Sequence, residues 1–255
     1  MPWRAVPTGE GAVPAAELAA ARKSFGPSTA LCGLSLAVAP GEVYGFLGPN
    51  GAGKTTAIRA LLGLMRLDAG TASIFGEAAP PRRSIGRVGF VPQEPALYRD
   101  LTVRDNLELF AAVFAVPPER VDGRIDEVLR FVELEARVDD VVRDLSGGMV
   151  RRASLAAAMV HDPDLLMLDE PTVGVDPELR ESLWTEFGAL RTRGKSILIT
   201  THYIDEARHC DRVGFINAGA LVAEGAPAAL LESSGGDSLE DAFLFFVRRA
   251  RGAAP

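Results

Sequence analysis

Cysteine is scarce in this chain: Cys32 and Cys210 are the two present in 255 residues. Isolated thiols without metal-type spacing exclude a disulfide framework at this size and point to a reducing compartment. No apolar run approaches the roughly 18 residues of a membrane-spanning helix, so any membrane role is expected to pass through a partner. Basic runs are missing as well. No Lys/Arg block exceeds two residues and the formal net charge is −7, which argues against a nucleic-acid-binding surface. The start, Met1-Pro2-Trp3-Arg4, lacks a basic segment followed by an apolar one, so no signal peptide is expected and residues 1–14 read as a flexible leader. What remains, with 47% hydrophobic and 24% charged residues, has the balance of a soluble globular protein. Its length is enough for one full core, read as a single domain over 15–255.

One stretch organises the rest. Gly48-Pro49-Asn50-Gly51-Ala52-Gly53-Lys54-Thr55-Thr56 has the spacing G-x-x-x-x-G-K-[ST] and follows the apolar run Val43 to Leu47, a buried strand feeding a tight turn. Glycines let the backbone curl close to a phosphate chain, and the positive end of the following helix faces the same anion. Lys54 is placed to reach the β and γ phosphates, and the Thr55 hydroxyl to ligate Mg²⁺. A ligand-free glycine turn is the plain alternative. Chance matches to the four fixed positions occur in on the order of one in a hundred chains this long, and the strand-then-helix context lowers that figure.

Along the chain, Ala15 to Phe25 has helix propensity but is expected as a strand by tertiary context. Leu34, Leu36 and Val38 alternate as a half-buried strand ending at Pro40-Gly41. A helix from about Gly53 to Arg66 precedes short strands at Ala72 to Phe75 and Arg87 to Val91. From Thr102 to Leu134 the pattern is helical: Thr102-x-x-Asp105 opens a helix as a capping box, and Pro117-Pro118 separates it from the next. The α/β pattern returns at Leu165 to Leu168, followed by a helix from Pro177 to about Arg193 and a strand at Ser196 to Thr200. A short helix near Tyr203 to His209, a strand at Val213 to Ile216 and a hairpin through Asn217-Ala218-Gly219 complete the core. The tail breaks at Ser233 to Gly236 before a helix with Leu239, Phe243, Phe246 and Val247 on one face.

Two further groups carry chemistry. Asp169-Glu170 end the apolar strand, where alternation along a strand sends neighbouring side chains to opposite faces. One carboxylate then supports Mg²⁺ while the other addresses a water lined up on the γ-phosphate. Leu145-Ser146-Gly147-Gly148-Met149 precedes a helix expected from about Val150, a second helix N-terminus suited to an anion. A plain Ser-Gly-Gly capping turn is the alternative.

Together these residues resemble one family, the ATP-binding subunits of ABC transporters. Gly48 to Thr56 is similar to its Walker A, Gln93 to its Q-loop, Leu145 to Met149 to its signature sequence and Leu165 to Glu170 to its Walker B. Val173 to Asp176 resembles its D-loop and Thr201-His202 its switch histidine. The segments from Thr172, from His202 and from Ser238 to Leu244 are most similar to the ABC-2-type exporter group. The resemblance implies an α/β fold: a P-loop NTPase core with a RecA-like, mostly parallel sheet, and an N-terminal antiparallel β subdomain. It also implies core segments at 15–93 and 165–225, a helical subdomain at 94–164 and a C-terminal tail at 226–255. It implies ATP and Mg²⁺ as cofactors, with Lys54 and the 50–56 amides on the phosphates and Thr55, Gln93 and Asp169 arranging the metal. Glu170 becomes the general base, His202 the γ-phosphate sensor, and Phe25 the ring that stacks on adenine, unless it is simply buried. Two copies would sandwich two ATP, each P-loop meeting Ser146, Gly147 and Gly148 of the other copy, with Asp176 in the same site. The partners implied are that second copy and a separate membrane permease received near Gln93, Glu94, Leu97 and Tyr98, with the subunit peripheral on the inner membrane face. Val150 departs from the family, where a basic or polar residue is common. A soluble, non-transport ABC-type ATPase is the alternative.

Overall fold

The computed structural model describes residues 12–252; the leader expected at 1–14 lies almost wholly outside them. Elements run in the order β1 (Ala16–Phe25), β2 (Ser28–Val38), β3 (Val43–Leu47), α1 (Lys54–Leu61), β4 (Ala69–Ile74), β5 (Glu77–Ala78), β6 (Val88–Val91), α2 (Val103–Val113), α3 (Pro118–Phe131), α4 (Gly147–Met159), β7 (Leu165–Asp169), α5 (Pro177–Thr192), β8 (Ser196–Thr201), β9 (Arg212–Asn217), β10 (Ala220–Gly225), α6 (Pro227–Ser234) and α7 (Leu239–Ala250). The chain divides into two compact units, residues 1–85 with 196–255, and residues 86–195.

The first unit holds an antiparallel sheet in the order β2-β1-β4-β5. The alanine-rich β1 is a strand because both its edges are paired, Leu18 with Leu36 on β2 and with Ala72 on β4. Its Ala16, Leu18 and Ala21 are buried, so partners on two sides outweigh a helix propensity of a few tenths of a kcal/mol per residue. The second sheet of this unit places β3 between parallel β8 and β9, with β10 antiparallel on β9. β3 is buried at all five positions, the all-apolar pattern of a strand covered on both faces. At its start the Tyr44 hydroxyl donates to Glu224 at 2.7 Å, and Arg212 grips Glu42 through two bonds of 2.7 and 3.0 Å. Burial pushes the Tyr44 hydroxyl above its ordinary pKa, and Glu224 adds to the rise. α1 stops at Leu61, short of the expected Arg66. Gly63, at φ +70, closes it with Leu64 N–H on the Arg59 carbonyl and Gly63 N–H on that of Ala60, the paired bonds of a glycine-terminated helix. α7 buries Phe243 and Phe246 against Phe215, at ring separations of 5.4 and 6.5 Å, so the tail helix packs on its own unit. α6, opened by Pro227 at its first turn, was not foreseen from the sequence.

The second unit pairs β6 with β7 in parallel and carries four of the helices. The Thr102 capping box forms as expected: Asp105 N–H donates to Thr102 Oγ1 at 3.0 Å and Thr102 N–H to Asp105 Oδ2 at 3.1 Å. Pro118 opens α3 at a position where no amide hydrogen is needed. α4 begins at Gly147, three residues before the expected Val150, because Ser146 caps it by accepting from Met149 N–H. No helix among the described residues is long and apolar enough to cross a membrane.

Candidate nucleotide site

In the first unit, β3 delivers the chain to Gly48, whose N–H donates to the Thr201 carbonyl at 3.3 Å. A Cβ on Gly48 would lie 2.2 Å from the Ile216 carbonyl, so no side chain fits where the strand becomes the loop. Gly53 closes the loop at φ 111, where L side chains are strained. Pro49, Asn50, Gly51 and Ala52 arch between them. α1 then starts at Lys54 with no side-chain cap and no acidic residue in its first turn. No side chain of its own caps this positive end, which is the condition for taking an external anion. Lys54 is buried, and its ammonium donates to the carbonyls of Gly48 at 2.7 Å and Pro49 at 3.2 Å. The charge sits inside the curl of the loop. Thr55 and Thr56 follow, half-buried.

The register Leu47 to Thr201 carries His202 to the strand end beside the start of this loop, and its ring lies 4.2 Å from that of Tyr203. Phe25 ends β1 and is 50% exposed, with the Lys23 ammonium 5.5 Å from its ring centroid. It is not a core residue, so the buried alternative for it falls away.

In the second unit, β7 ends at Asp169, and both Asp169 and Glu170 are buried. The strand stops at Asp169, one residue before Glu170. Glu170 has left the strand at φ +55, a left-handed conformation uncommon for a residue with a side chain. The register Val91 to Leu168 brings Gln93, which is exposed, and Glu170 to the same end of adjacent strands. A Cβ on Gly148 would sit 3.7 Å from the Gly174 carbonyl, so the Ser146–Gly148 loop lies against the 173–176 segment. Gly147 faces open space, and Ser146 is exposed. Asp176 caps α5, accepting from Leu179 N–H at 3.0 Å. Tyr98 is exposed, and Asn106 holds its backbone with bonds of 2.8 and 3.0 Å.

Sequence reasoning missed Arg151. The side chain is buried, and its guanidinium bonds only main-chain carbonyls, in the Gln93 and Glu170 segments. Burial lowers its pKa, and the charges of Asp169 and Glu170 oppose that fall. No local signal marks it: Arg151 is the fifth residue of α4 and its acceptors are distant main-chain oxygens.

The family model described as "ABC transporter" matches residues 31–173. The Nod factor export ATP-binding protein I of Paraburkholderia xenovorans is 47% identical over 225 residues, covering 87% of this chain and 74% of that protein. Among solved structures, one described as the ATP binding subunit of an ABC transporter is 26% identical at a TM-score of 0.83, over 91% of this chain and 99% of that one. A dimeric bacterial ABC transporter cassette is likewise 26% identical, with a TM-score of 0.78 over 83% and 98% of the two chains. With a glycine-built phosphate loop on one unit and a serine-capped glycine loop on the other, in the order the family uses, the chain belongs to the ABC transporter family.

Proposed function

We propose that this chain is the ATP-binding and ATP-hydrolysing subunit of an ABC exporter, closing with a second copy over two ATP to drive a separate membrane permease. One observation carries the proposal. Among the described residues three α-helices lack an acidic residue in the first turn; α6 opens on Ala226-Pro227, whereas α1 and α4 open on glycine loops, Gly48–Gly53 and Ser146–Gly148. One serves the chain's own ATP; the other has a use when a second copy presents its nucleotide.

Each residue then has a role. Lys54 and the amides from Asn50 to Thr56 hold the phosphates, and the ring of the exposed Phe25 stacks on adenine. Thr55, Asp169 and Gln93 offer hard oxygen donors, directly or through water, which suits Mg²⁺. Among the described residues no cluster of three His, Cys, Asp or Glu side chains could cage a metal; this fits an ion that keeps water and phosphate oxygens. Mg²⁺ would supply charge neutralisation at the β and γ phosphates. Glu170 takes the proton of the attacking water, His202 addresses the γ-phosphate, and Ser146, Gly147 and Gly148 close over it from the other copy, next to the segment ending at Asp176. The export direction follows the named relative. The exposed Tyr98 and Leu101 offer apolar surface to the permease, which would hold the subunit on the inner face of the membrane.

Glu170→Gln is the test. The variant should bind ATP, elute as a dimer on a sizing column when ATP is present, and lose at least about 100-fold in turnover, the scale of a general base. Undiminished steady-state hydrolysis would refute the assignment.

A further inference from the structure

We infer that Arg151 is the positioning residue of this ATPase: through main-chain bonds alone it fixes the Glu170 backbone and the Gln93 loop to the helix that begins at the Ser146–Gly148 loop. The inference rests on the reading of Glu170 as general base.

The geometry is a complete match of donors to acceptors. A guanidinium has five N–H groups in one rigid plane. Here Nη1 donates to the carbonyls of Pro92 at 3.1 Å and Gln93 at 2.6 Å, Nη2 to those of Asp169 at 2.9 Å and Glu170 more closely, and Nε to that of Pro171 at 3.3 Å. All five acceptors are backbone oxygens. Arg151 therefore holds the course of two loops, whatever their side chains are. On one side it spans Asp169, Glu170 and Pro171, the three carbonyls that bracket the left-handed kink at Glu170, φ +55. On the other it takes the two carbonyls where β6 gives way to the Gln93 loop. Its own Cα stands on α4, five residues after Ser146. A shift of α4 as the signature loop meets nucleotide is thus passed by one rigid plane to the general base and to Gln93 together.

Burial disfavours the charge of Arg151. The offset comes from carbonyl dipoles and from the nearby Asp169 and Glu170 charges. A lysine would keep the charge but has three N–H groups and no plane, so it cannot serve five carbonyls in these directions. The phosphate cradle at Gly48–Thr56 makes no use of Arg151. Loss of the fork should therefore act on the chemical step and leave ATP affinity alone.

The experiment compares Arg151→Lys, Arg151→Gln and Glu170→Gln in the full chain, measuring ATP affinity by calorimetry and kcat per ATP-binding molecule. For both Arg151 variants we expect affinity and KM within about 3-fold of wild type and kcat down about 100-fold, the effect of an approximately 1 Å misplacement of a reacting group. Arg151→Lys should recover no more than a small part of the rate, because charge without the planar fork does not restore the contacts. Reading two variants keeps the outcome independent of either one folding. If an Arg151 variant binds ATP with wild-type kcat per binding molecule while Glu170→Gln is inactive, the inference is overturned and the proposed function stands. If Arg151→Lys equals wild type and only Arg151→Gln is slow, charge and not positioning is the contribution, and the inference is again overturned. If Glu170→Gln itself turns over normally, the general-base reading falls and the inference with it.

Discussion

Gly53→Ala isolates the physical cost of the phosphate loop. Gly53 sits at φ 111, and a Cβ there would meet the Ala30 carbonyl at 2.4 Å and Leu31 Cδ2 at 3.2 Å. An L residue held at positive φ costs about 1–2 kcal/mol. Relieving the overlap with a backbone oxygen, which cannot swing aside as a side-chain tip can, adds about 1–3 kcal/mol. The sum, about 2–5 kcal/mol, corresponds to a fall in Tm of roughly 4–20 °C for a chain of this size. The companion substitution Gly147→Ala faces open space at a residue without positive φ, and should move Tm by no more than about 2 °C, a surface-type change within about 0.5 kcal/mol. Differential scanning calorimetry without nucleotide reads both variants. Because ATP is absent, the difference reports the loop's own geometry and not lost ligand binding. Equal Tm values for Gly53→Ala and wild type would refute the claim that the loop's curvature depends on a residue without a Cβ.

Phe25→Ala should leave Tm within about 2 °C, since the residue is half exposed, and raise the KM for ATP roughly 2–10-fold, the worth of one aromatic stack; unchanged KM would remove Phe25 from the adenine site. Ser146→Arg should lose the α4 cap, costing about 1 kcal/mol of stability, keep ATP binding by the chain's own P-loop, and abolish hydrolysis; intact hydrolysis would contradict the two-copy site. His161 gives a pH dependence. Its ring stacks on Phe114 at 3.8 Å and its Nε2 lies 3.1 Å from the Val88 carbonyl. Burial lowers its pKa below 6.5, with Arg124 and Lys195 adding to the fall while the Val88 bond and Asp162 resist it. A depressed pKa in the folded state means that the stabilisation is present above pH 6.5 and is lost as pH falls through the folded value. Tm should therefore drop more steeply below pH 6.5 in the wild type than in His161→Gln, and parallel curves would exclude His161 as a contributor.

Local physics accounts for what was legible in the chain alone. The phosphate loop needs glycines at set places, a lysine and a hydroxyl at fixed spacing, and an apolar strand before them, so Gly48 to Thr56 announces itself. The capping box at Thr102 and Asp105 is a pair of bonds across three residues, equally visible; the α5 cap at Asp176 is as local, but only the structure showed it. Tertiary structure decided the rest, because the deciding partners are distant in sequence. Ala16 to Phe25 is a strand since β2 and β4 pair with both its edges. Phe25 is exposed, and not core, only because its hairpin ends at the surface. The two carboxylates were foreseen as a pair at the strand end, but not that the strand stops at Asp169 and that Glu170 takes a left-handed turn; no local pattern of Asp-Glu-Pro encodes that turn. Arg151 was the least legible of all, since its five acceptors are backbone carbonyls up to 59 residues away. Main-chain atoms carry no residue identity, so a sequence can show where an arginine stands but not that five peptide oxygens converge on it.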